Sequence, residues 1–357
     1  MFCDSISDLK KARLLLKSVI TNNAKSASGW IAAARVEELD GKLEEARNII
    51  AQGCNNCLDS DDIWIEAARL SVIFKILFNY FLQAPDKSRA ILAKGIAQIP
   101  SSVKLWRAAA KKEKDIKAKS KVLKKALEYI PHSALLWKEA IELESEEEAK
   151  MLLYKAVECI PLCVDMWLAL AKLETYENSR IVLNKARLAI PTDHTIWIHA
   201  AKLEEAQGNS PSVENIIRRA IKTLTKHGVT LEREQWLGHA ENAELGGSNQ
   251  TANAIIKYTF HLNLPKEDLK KTVIQNAKGF ILNGAIKCGR AIYQETLDVF
   301  PTKKSLWMEA IQLEREHGST NSLTKILASA VEKCSFAQIF HLMYAKHLWL
   351  QVTHFTF

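Results

Sequence analysis

The 357-residue chain has little glycine, little proline and no long uninterrupted apolar run. Thirteen Gly and eight Pro are too few for a disordered or low-complexity protein, and an apolar content of 48% is enough for a large buried core. The most apolar stretch, Leu70–Ala84, contains Lys75 and Asn79 and is shorter than the ~20 residues that a membrane-spanning helix needs. We therefore expect a soluble, intracellular, helix-rich protein without a membrane segment.

The sequence also lacks the patterns of a disulfide framework, a metal centre or a catalytic site. Its seven cysteines are odd in number and scattered, which is typical of reduced thiols in the cytosol or nucleus. Cys54 and Cys57 form a lone CxxC without a second pair, and Cys159 and Cys163 flank a proline, so we interpret all four as packing residues. No HExxH, glycine-rich phosphate loop or GxSxG motif is present. We predict no catalytic site, no metal, no cofactor and no small-molecule substrate.

What the chain contains instead is a repeat marked by tryptophan. Eight of the nine tryptophans each begin an apolar-periodic segment such as WIAAARVEE: Trp30, Trp64, Trp106, Trp137, Trp167, Trp197, Trp236 and Trp307. Six have a glutamate seven residues later: Glu37, Glu113, Glu144, Glu174, Glu204 and Glu314. Offsets of three, four and seven lie on one face of a helix, which predicts a first helix, helix A, in each repeat. We interpret this stripe as core packing, because repeated identical positions serve the stacking of repeats.

A second amphipathic segment, helix B, follows each helix A. In five repeats it ends at a proline six residues before the next motif tryptophan: Pro100, Pro131, Pro161, Pro191 and Pro301. Proline cannot continue a helix, so it ends helix B. One position of helix B, occupied by arginine in most repeats, precedes the next motif tryptophan by the same number of residues every time. The residues at this arginine-like position are Arg13, Arg47, Arg89, Ser120, Lys150, Arg180 and Arg290. We expect the glutamate at offset seven to pair with the arginine of the following helix B, as Glu37 with Arg47 and Glu174 with Arg180.

The same register identifies two positions at which the motif tryptophan is replaced. The first is His341, which follows Thr324 of the last helix B by the same number of residues as Trp30 follows Arg13. The second is Val273, which precedes Arg290 by the same number of residues as Trp30 precedes Arg47. Gly284 lies eleven residues after Val273, and four other glycines lie eleven residues after their tryptophan: Gly41, Gly208, Gly247 and Gly318. We expect these glycines to adopt the left-handed conformation that ends helix A.

The register predicts an all-α protein, a right-handed α-solenoid of about ten antiparallel helical hairpins over 1–357. Trp349 falls outside the register. The chain begins at a helix B and stops within a helix A, so we expect a solenoid truncated at both ends. The interval between Trp64 and Trp106 contains an irregular apolar insertion, 70–85, which is either a buried helix extension or a gene-model artefact. We favour the artefact, because exposed apolar runs promote aggregation.

The two helices together resemble a known repeat. A Trp-x2-Ala-x3-Glu helix, an (Ala/Ser)-Arg-x-(Ile/Leu)-(Leu/Tyr)-x-(Lys/Arg)-Ala helix and a closing proline resemble the HAT, or half-a-TPR, repeat of RNA-processing scaffolds. The resemblance covers nearly the whole chain. Residues 168–209 and 10–18 resemble the splicing factors that bridge parts of the spliceosomal tri-snRNP. The resemblance implies a HAT/TPR-like solenoid that joins small nuclear ribonucleoprotein proteins in the nucleus through protein contacts.

Two other functions fit the repeat. One is a different HAT scaffold, for pre-mRNA 3′-end cleavage or ribosomal RNA processing. The other is a protein prenyltransferase α subunit, which also consists of helical hairpins with a recurring tryptophan. Repeats of that family resemble Asn-Tyr-x-x-Trp-x-x-Arg, whereas here the residue at offset three is alanine six times and never arginine. The enzyme is therefore the remote alternative.

One cluster of lysines is a candidate binding surface. Eight lysines fall in the short segment 111–125: Lys111, Lys112, Lys114, Lys117, Lys119, Lys121, Lys124 and Lys125. Such a cluster could neutralise RNA phosphates or bind an acidic protein partner. No aromatic residue is interleaved for base stacking, and Glu113 and Asp115 dilute the charge, so the simplest interpretation is a solvated face. Direct RNA contact and an acidic protein partner both stay open.

Overall fold

A computed structural model describes residues 2–77, 87–260 and 269–354. These residues form twenty helices: α1 (Phe2–Asn22), α2 (Ala27–Leu39), α3 (Leu43–Asn56), α4 (Asp61–Leu77), α5 (Lys87–Gln98), α6 (Val103–Lys112), α7 (Ile116–Tyr129), α8 (Ala134–Ile141), α9 (Glu146–Cys159), α10 (Val164–Leu173), α11 (Tyr176–Ala189), α12 (His194–Ala206), α13 (Ser210–Lys226), α14 (Arg233–Leu245), α15 (Asn249–Thr259), α16 (Leu269–Leu282), α17 (Ile286–Val299), α18 (Lys304–His317), α19 (Thr320–Lys333) and α20 (Gln338–His354). No strand occurs within those three ranges. The even-numbered helices are the ten helices A and the odd-numbered helices are the helices B, so the all-α hairpin fold is confirmed.

The helices form two compact units, Met1–Leu173 and Glu174–Phe357. In the first unit α2 packs against α1, α3 and α4, and in the second unit α15 packs against α13, α14 and α17. Among the described residues, the main contacts of the helices join helices at most three positions apart in the chain, which is the packing of an α-solenoid. The expectation that one solenoid runs over 1–357 stays a prediction.

The motif tryptophans are buried at the centre of each hairpin, with exposed fractions between 2% for Trp236 and 8% for Trp64. Five of them donate the indole Nε1–H to the carbonyl oxygen six residues upstream, at 2.8 or 2.9 Å: Trp30 to Ala24, Trp106 to Pro100, Trp137 to Pro131, Trp167 to Pro161 and Trp307 to Pro301. A buried N–H without a partner is destabilising. In the repeats of Trp106, Trp137, Trp167 and Trp307 the closing proline therefore ends helix B and also supplies the acceptor for the next tryptophan. Trp197 follows Pro191 by the same interval, but its Nε1 has no hydrogen-bond partner among the described residues, and the same holds for Trp64.

The two replaced tryptophan positions behave as the register predicts. Val273 is fully buried in α16. His341 in α20 places Nε2 3.2 Å from the carbonyl oxygen of Ser335, six residues upstream, so it forms the same hydrogen bond as the tryptophans. Trp349 is 65% exposed, unlike every motif tryptophan, which confirms that it lies outside the register.

Glycine ends helix A in the predicted left-handed conformation in four of the five places. Gly41, Gly208, Gly247 and Gly284 have φ angles of 80°, 78°, 86° and 87°, in the left-handed region. The prediction was wrong at Gly318, whose φ is −93°. There the next residue, Ser319, begins a capping box at the start of α19, and the chain enters it in an extended conformation.

The apolar insertion 70–85 is described only in part. Residues 70–77 continue α4, in which Leu70 and Ser71 are buried, and residues 78–85 lie outside the described residues. None of the helices in the described parts of the chain combines the length and the apolar character needed to cross a membrane.

Candidate interaction grooves

In four of the six repeats that have the glutamate at offset seven, it pairs with the arginine of the helix B before it. The pairs are Arg13–Glu37 at 2.6 Å, Arg89–Glu113 at 3.2 Å, Arg180–Glu204 at 3.0 Å and Arg290–Glu314 at 2.5 Å. The predicted pairing of Glu37 with Arg47 and of Glu174 with Arg180 was wrong. Tryptophan and glutamate are two helical turns apart and share one face. The indole of that face bonds to the end of the preceding helix B, so the glutamate also faces that helix.

In the fourth repeat, which contains Trp137, the glutamate at offset seven is bound by residues other than arginine. The arginine-like position of this repeat is Ser120, whose hydroxyl donates to Glu144. Lys124, one turn further along α7, lies 2.7 Å from Glu144 and 3.4 Å from Glu148. Hydrogen bonds with Glu148, Lys124 and Ser120 lower the pKa of the Glu144 carboxyl. One of the eight clustered lysines is therefore part of the repeat framework.

The rest of the lysine cluster is distributed over the turn between α6 and α7. Lys111 and Lys112 lie in the last turn of α6, where cations are favourable near the helix C-terminus. Lys114 lies in the turn, and the others lie on α7: Lys117, Lys119, Lys121, Lys124 and Lys125. Lys121 and Lys125 line a groove together with residues of α5 and α6.

This groove, here called the Trp106 groove, lies between the helices B α5 and α7, and helix A α6 forms its floor. Its volume is about 610 Å³. It is lined by Arg89, Ala93, Ile96, Ala97, Pro100, Trp106, Ala109, Glu113, Lys121, Val122, Lys125 and Tyr129. The tryptophan, the alanine three residues later and the glutamate seven residues later come from helix A, so the repeat motif itself forms the floor.

The same repeat positions form two further grooves. The Trp30 groove lies between α1 and α3 and has a volume of about 460 Å³, and the Trp307 groove lies between α17 and α19 and has about 710 Å³. One wall of each groove is the helix B that comes after the floor helix in the chain, and its residues differ among the three grooves. They are Ile49 and Gln52 in the Trp30 groove, Lys121, Val122, Lys125 and Tyr129 in the Trp106 groove, and Lys325, Ile326, Ser329 and Lys333 in the Trp307 groove. The floor of the three grooves is therefore constant, and their walls vary.

The CxxC cysteines have structural surroundings, and the structure also brings two histidines together. Cys54 and Cys57 are buried; desolvation raises the pKa of Cys54 to about 11, and the Cys57 thiol donates to the Ala24 carbonyl at 3.3 Å. His194 places Nε2 2.7 Å from Nε2 of His239, and desolvation lowers the pKa of both rings. Sequence reasoning missed this pair, because its members are 45 residues apart. Within the described ranges, no group of three or more His, Cys, Asp or Glu could hold a metal ion.

Stacked hairpins with a fixed Trp, Ala and Glu framework and variable groove walls define a helical-repeat protein of the scaffold class. Comparison with known proteins identifies the family to which these repeats belong. The chain is 56% identical over 305 residues to human pre-mRNA-processing factor 6. It is 47% identical over 332 residues to pre-mRNA-splicing factor prp1 of Schizosaccharomyces pombe, and 50% identical over 310 residues to Protein STABILIZED1 of Arabidopsis thaliana. Over this region the chain belongs to the pre-mRNA-processing factor 6 family.

The alignments cover 85%, 93% and 85% of this chain, in the same order. They cover 31%, 35% and 29% of the relatives, so the chain spans about a third of their length. No family model matches the chain.

Proposed function

We propose that this chain is a non-catalytic scaffold of nuclear pre-mRNA splicing, which joins small nuclear ribonucleoproteins of the tri-snRNP through protein contacts along its repeats. The observation that carries this proposal is the 56% identity to human pre-mRNA-processing factor 6 over 305 residues. The proposal concerns the repeat region, because the chain spans 31% of that relative.

The geometry of the grooves supports protein binding. Each groove is open to solvent along the surface of a hairpin and combines apolar wall residues, such as Ile96 and Val122, with lysines. Apolar side chains supply most of the free energy of a protein contact, and charges at the edge select the partner. Repeated grooves on a helical frame suit a protein that holds several segments at fixed spacing.

A pull-down from nuclear extract, with and without nuclease, tests the proposal. The tagged chain is the bait, and an unrelated helical-repeat protein of similar net charge is the control. We expect tri-snRNP proteins with this chain in both conditions and not with the control. Loss of all partners after nuclease treatment would indicate RNA tethering, and recovery of 3′-end cleavage or ribosomal RNA processing factors would favour the other class of HAT scaffold. Recovery of chaperones alone would contradict the splicing function.

A further inference from the structure

We propose that the Trp106 groove binds an extended acidic segment of a partner protein, with a large apolar side chain next to two carboxylates. This inference rests on the proposed scaffold function and assigns the chemistry of one of its partners.

The first step is the apolar surface that the groove offers. Trp106 and Tyr129 stack with ring centroids 5.7 Å apart and an angle of 27° between the ring planes. Trp106 is buried, whereas Tyr129 is 56% exposed and adjoins the half-buried side chains of the groove walls, Ile96 and Val122. A volume of about 610 Å³ holds several side chains of a partner. One large apolar side chain can therefore lie on the free face of Tyr129.

The second step is the charge of the groove. Arg89 and Glu113 are paired at 3.2 Å and neutralise each other. Lys121 and Lys125 are exposed and form no ion pair with any residue that the structure describes. They are four residues apart on α7, a rise of about 6 Å along the helix. Carboxylates two residues apart in an extended segment are separated by about 6.6 Å, so they match this spacing.

The third step is the difference from the other two grooves. At the positions of Lys121 and Lys125, α3 has Asn48 and Gln52, and of these two Gln52 lines the Trp30 groove. In the Trp307 groove the same positions are occupied by Lys325 and Ser329. Two lysines one turn apart at these positions therefore distinguish the Trp106 groove among the three.

A protein segment fits this groove better than single-stranded RNA does. Proteins that bind single-stranded nucleic acid stack successive bases on several aromatic rings. Here the indole of Trp106 is buried, its Nε1–H bonds to the Pro100 carbonyl at 2.9 Å, and it covers one face of Tyr129. The groove therefore offers one free aromatic face.

A peptide-display selection tests the proposal. A library of random 12-residue peptides is selected on the 357-residue chain and counter-selected on the K121E/K125E variant. We expect enriched peptides with two acidic residues next to an aromatic or large aliphatic residue. The absence of enrichment, or a consensus without acidic residues, would overturn the proposal.

Affinity measurements by fluorescence anisotropy supply the matched controls. We expect K121E/K125E to weaken binding of the selected peptide about tenfold to a hundredfold, because two attractions become repulsions. A peptide with lysine in place of its acidic residues should bind the K121E/K125E chain better than the original chain. The K111E/K114E variant changes the net charge equally at exposed lysines outside the groove lining and should bind within about twofold of the original chain. Equal weakening by both variants, or a groove-dependent affinity for a 12-nucleotide oligouridylate that exceeds the affinity for the peptide, would refute the acidic-peptide site.

The same variants in the nuclear-extract pull-down separate the two proposals. Recovery of an identical set of splicing proteins by K121E/K125E and the original chain would overturn the role of the groove and leave the scaffold function standing. Groove-dependent peptide binding without recovery of any splicing protein would do the reverse. Circular dichroism should show an unchanged helix content in both charge variants, because all four lysines are exposed.

Discussion

The hydrogen bond between the indole and the proline carbonyl makes a quantitative prediction about stability. Trp137 donates Nε1–H to the Pro131 carbonyl at 2.8 Å, and the ring is 4% exposed. Trp64 occupies the same repeat position in the same unit and is 8% exposed, but its Nε1 has no hydrogen-bond partner among the described residues. Replacing each by phenylalanine removes the same N–H group from two different environments.

The two substitutions should differ in cost by the free energy of the hydrogen bond. Both leave a cavity, since phenylalanine lacks the second ring of tryptophan, and the cavity destabilises the chain in each case. Trp137→Phe also leaves the Pro131 carbonyl without its donor, which adds about 1–3 kcal/mol. Trp64→Phe removes a buried donor that had no partner, so no such loss occurs. We expect the free energy of unfolding to fall by about 1–3 kcal/mol more in Trp137→Phe than in Trp64→Phe.

Urea unfolding followed by circular dichroism measures the difference. The two variants should have equal m-values, so the shift in midpoint reports stability directly. An equal or larger loss in Trp64→Phe would refute the reasoning, because the cavity alone would then account for both results. A Trp30→Phe variant supplies a second hydrogen-bonded position, with a donor–acceptor distance of 2.8 Å to the Ala24 carbonyl, and should behave like Trp137→Phe.

Three further predictions concern the second unit. Arg290 and Glu314 are 2.5 Å apart, and the glutamate side chain is 8% exposed. A double-mutant cycle on this pair, measured by urea unfolding, should give a coupling free energy of about 1 kcal/mol. A coupling near zero would contradict the framework role of the pair. Burial lowers the pKa of His194 and His239 below the usual value of 6.5, so the unfolded chain binds more protons than the folded chain. The free energy of unfolding should therefore be highest above about pH 6.5 and should fall as the pH drops below that value. The His194→Gln/His239→Gln variant should lose that part of the pH dependence, and an unchanged slope would exclude the pair as its source. Arg233 is 3% exposed, and its three side-chain nitrogens have no hydrogen-bond partner among the described residues, so Arg233→Met should leave the melting temperature unchanged or raise it; a fall of several degrees would show that the guanidinium is compensated.

The hairpin register could be predicted from sequence because its signals are local. Helical periodicity, a closing proline and a glycine at the end of helix A each act within a few residues. The same spacing located His341 and Val273, and the structure places both at tryptophan positions. Gly318 was predicted wrongly because the serine after it begins the next helix by a capping box, which removes the need for a left-handed residue.

The partners of the framework residues could not be predicted in the same way. Glu37 lies between Arg13 and Arg47 in the sequence and is nearer to Arg47. Which of the two arginines it pairs with depends on the direction in which its face of helix A points, and in the structure the partner is Arg13. The six-residue spacing of proline and tryptophan was the available clue, since it places the tryptophan face against the preceding helix B. The His194–His239 contact joins two different hairpins and has no signal in the sequence.

The lysine cluster shows why net charge alone does not identify a binding surface. The fourth repeat has Ser120 where most repeats have arginine, so Glu144 would lack a cation if no other residue supplied one. Lys124 supplies it from one helical turn further along α7. Part of the lysine density on this helix is therefore a structural replacement for the missing arginine. Only after Lys124 is assigned to the framework does the remaining charge point to a site, and it is then Lys121 and Lys125 that face the groove rather than the cluster as a whole.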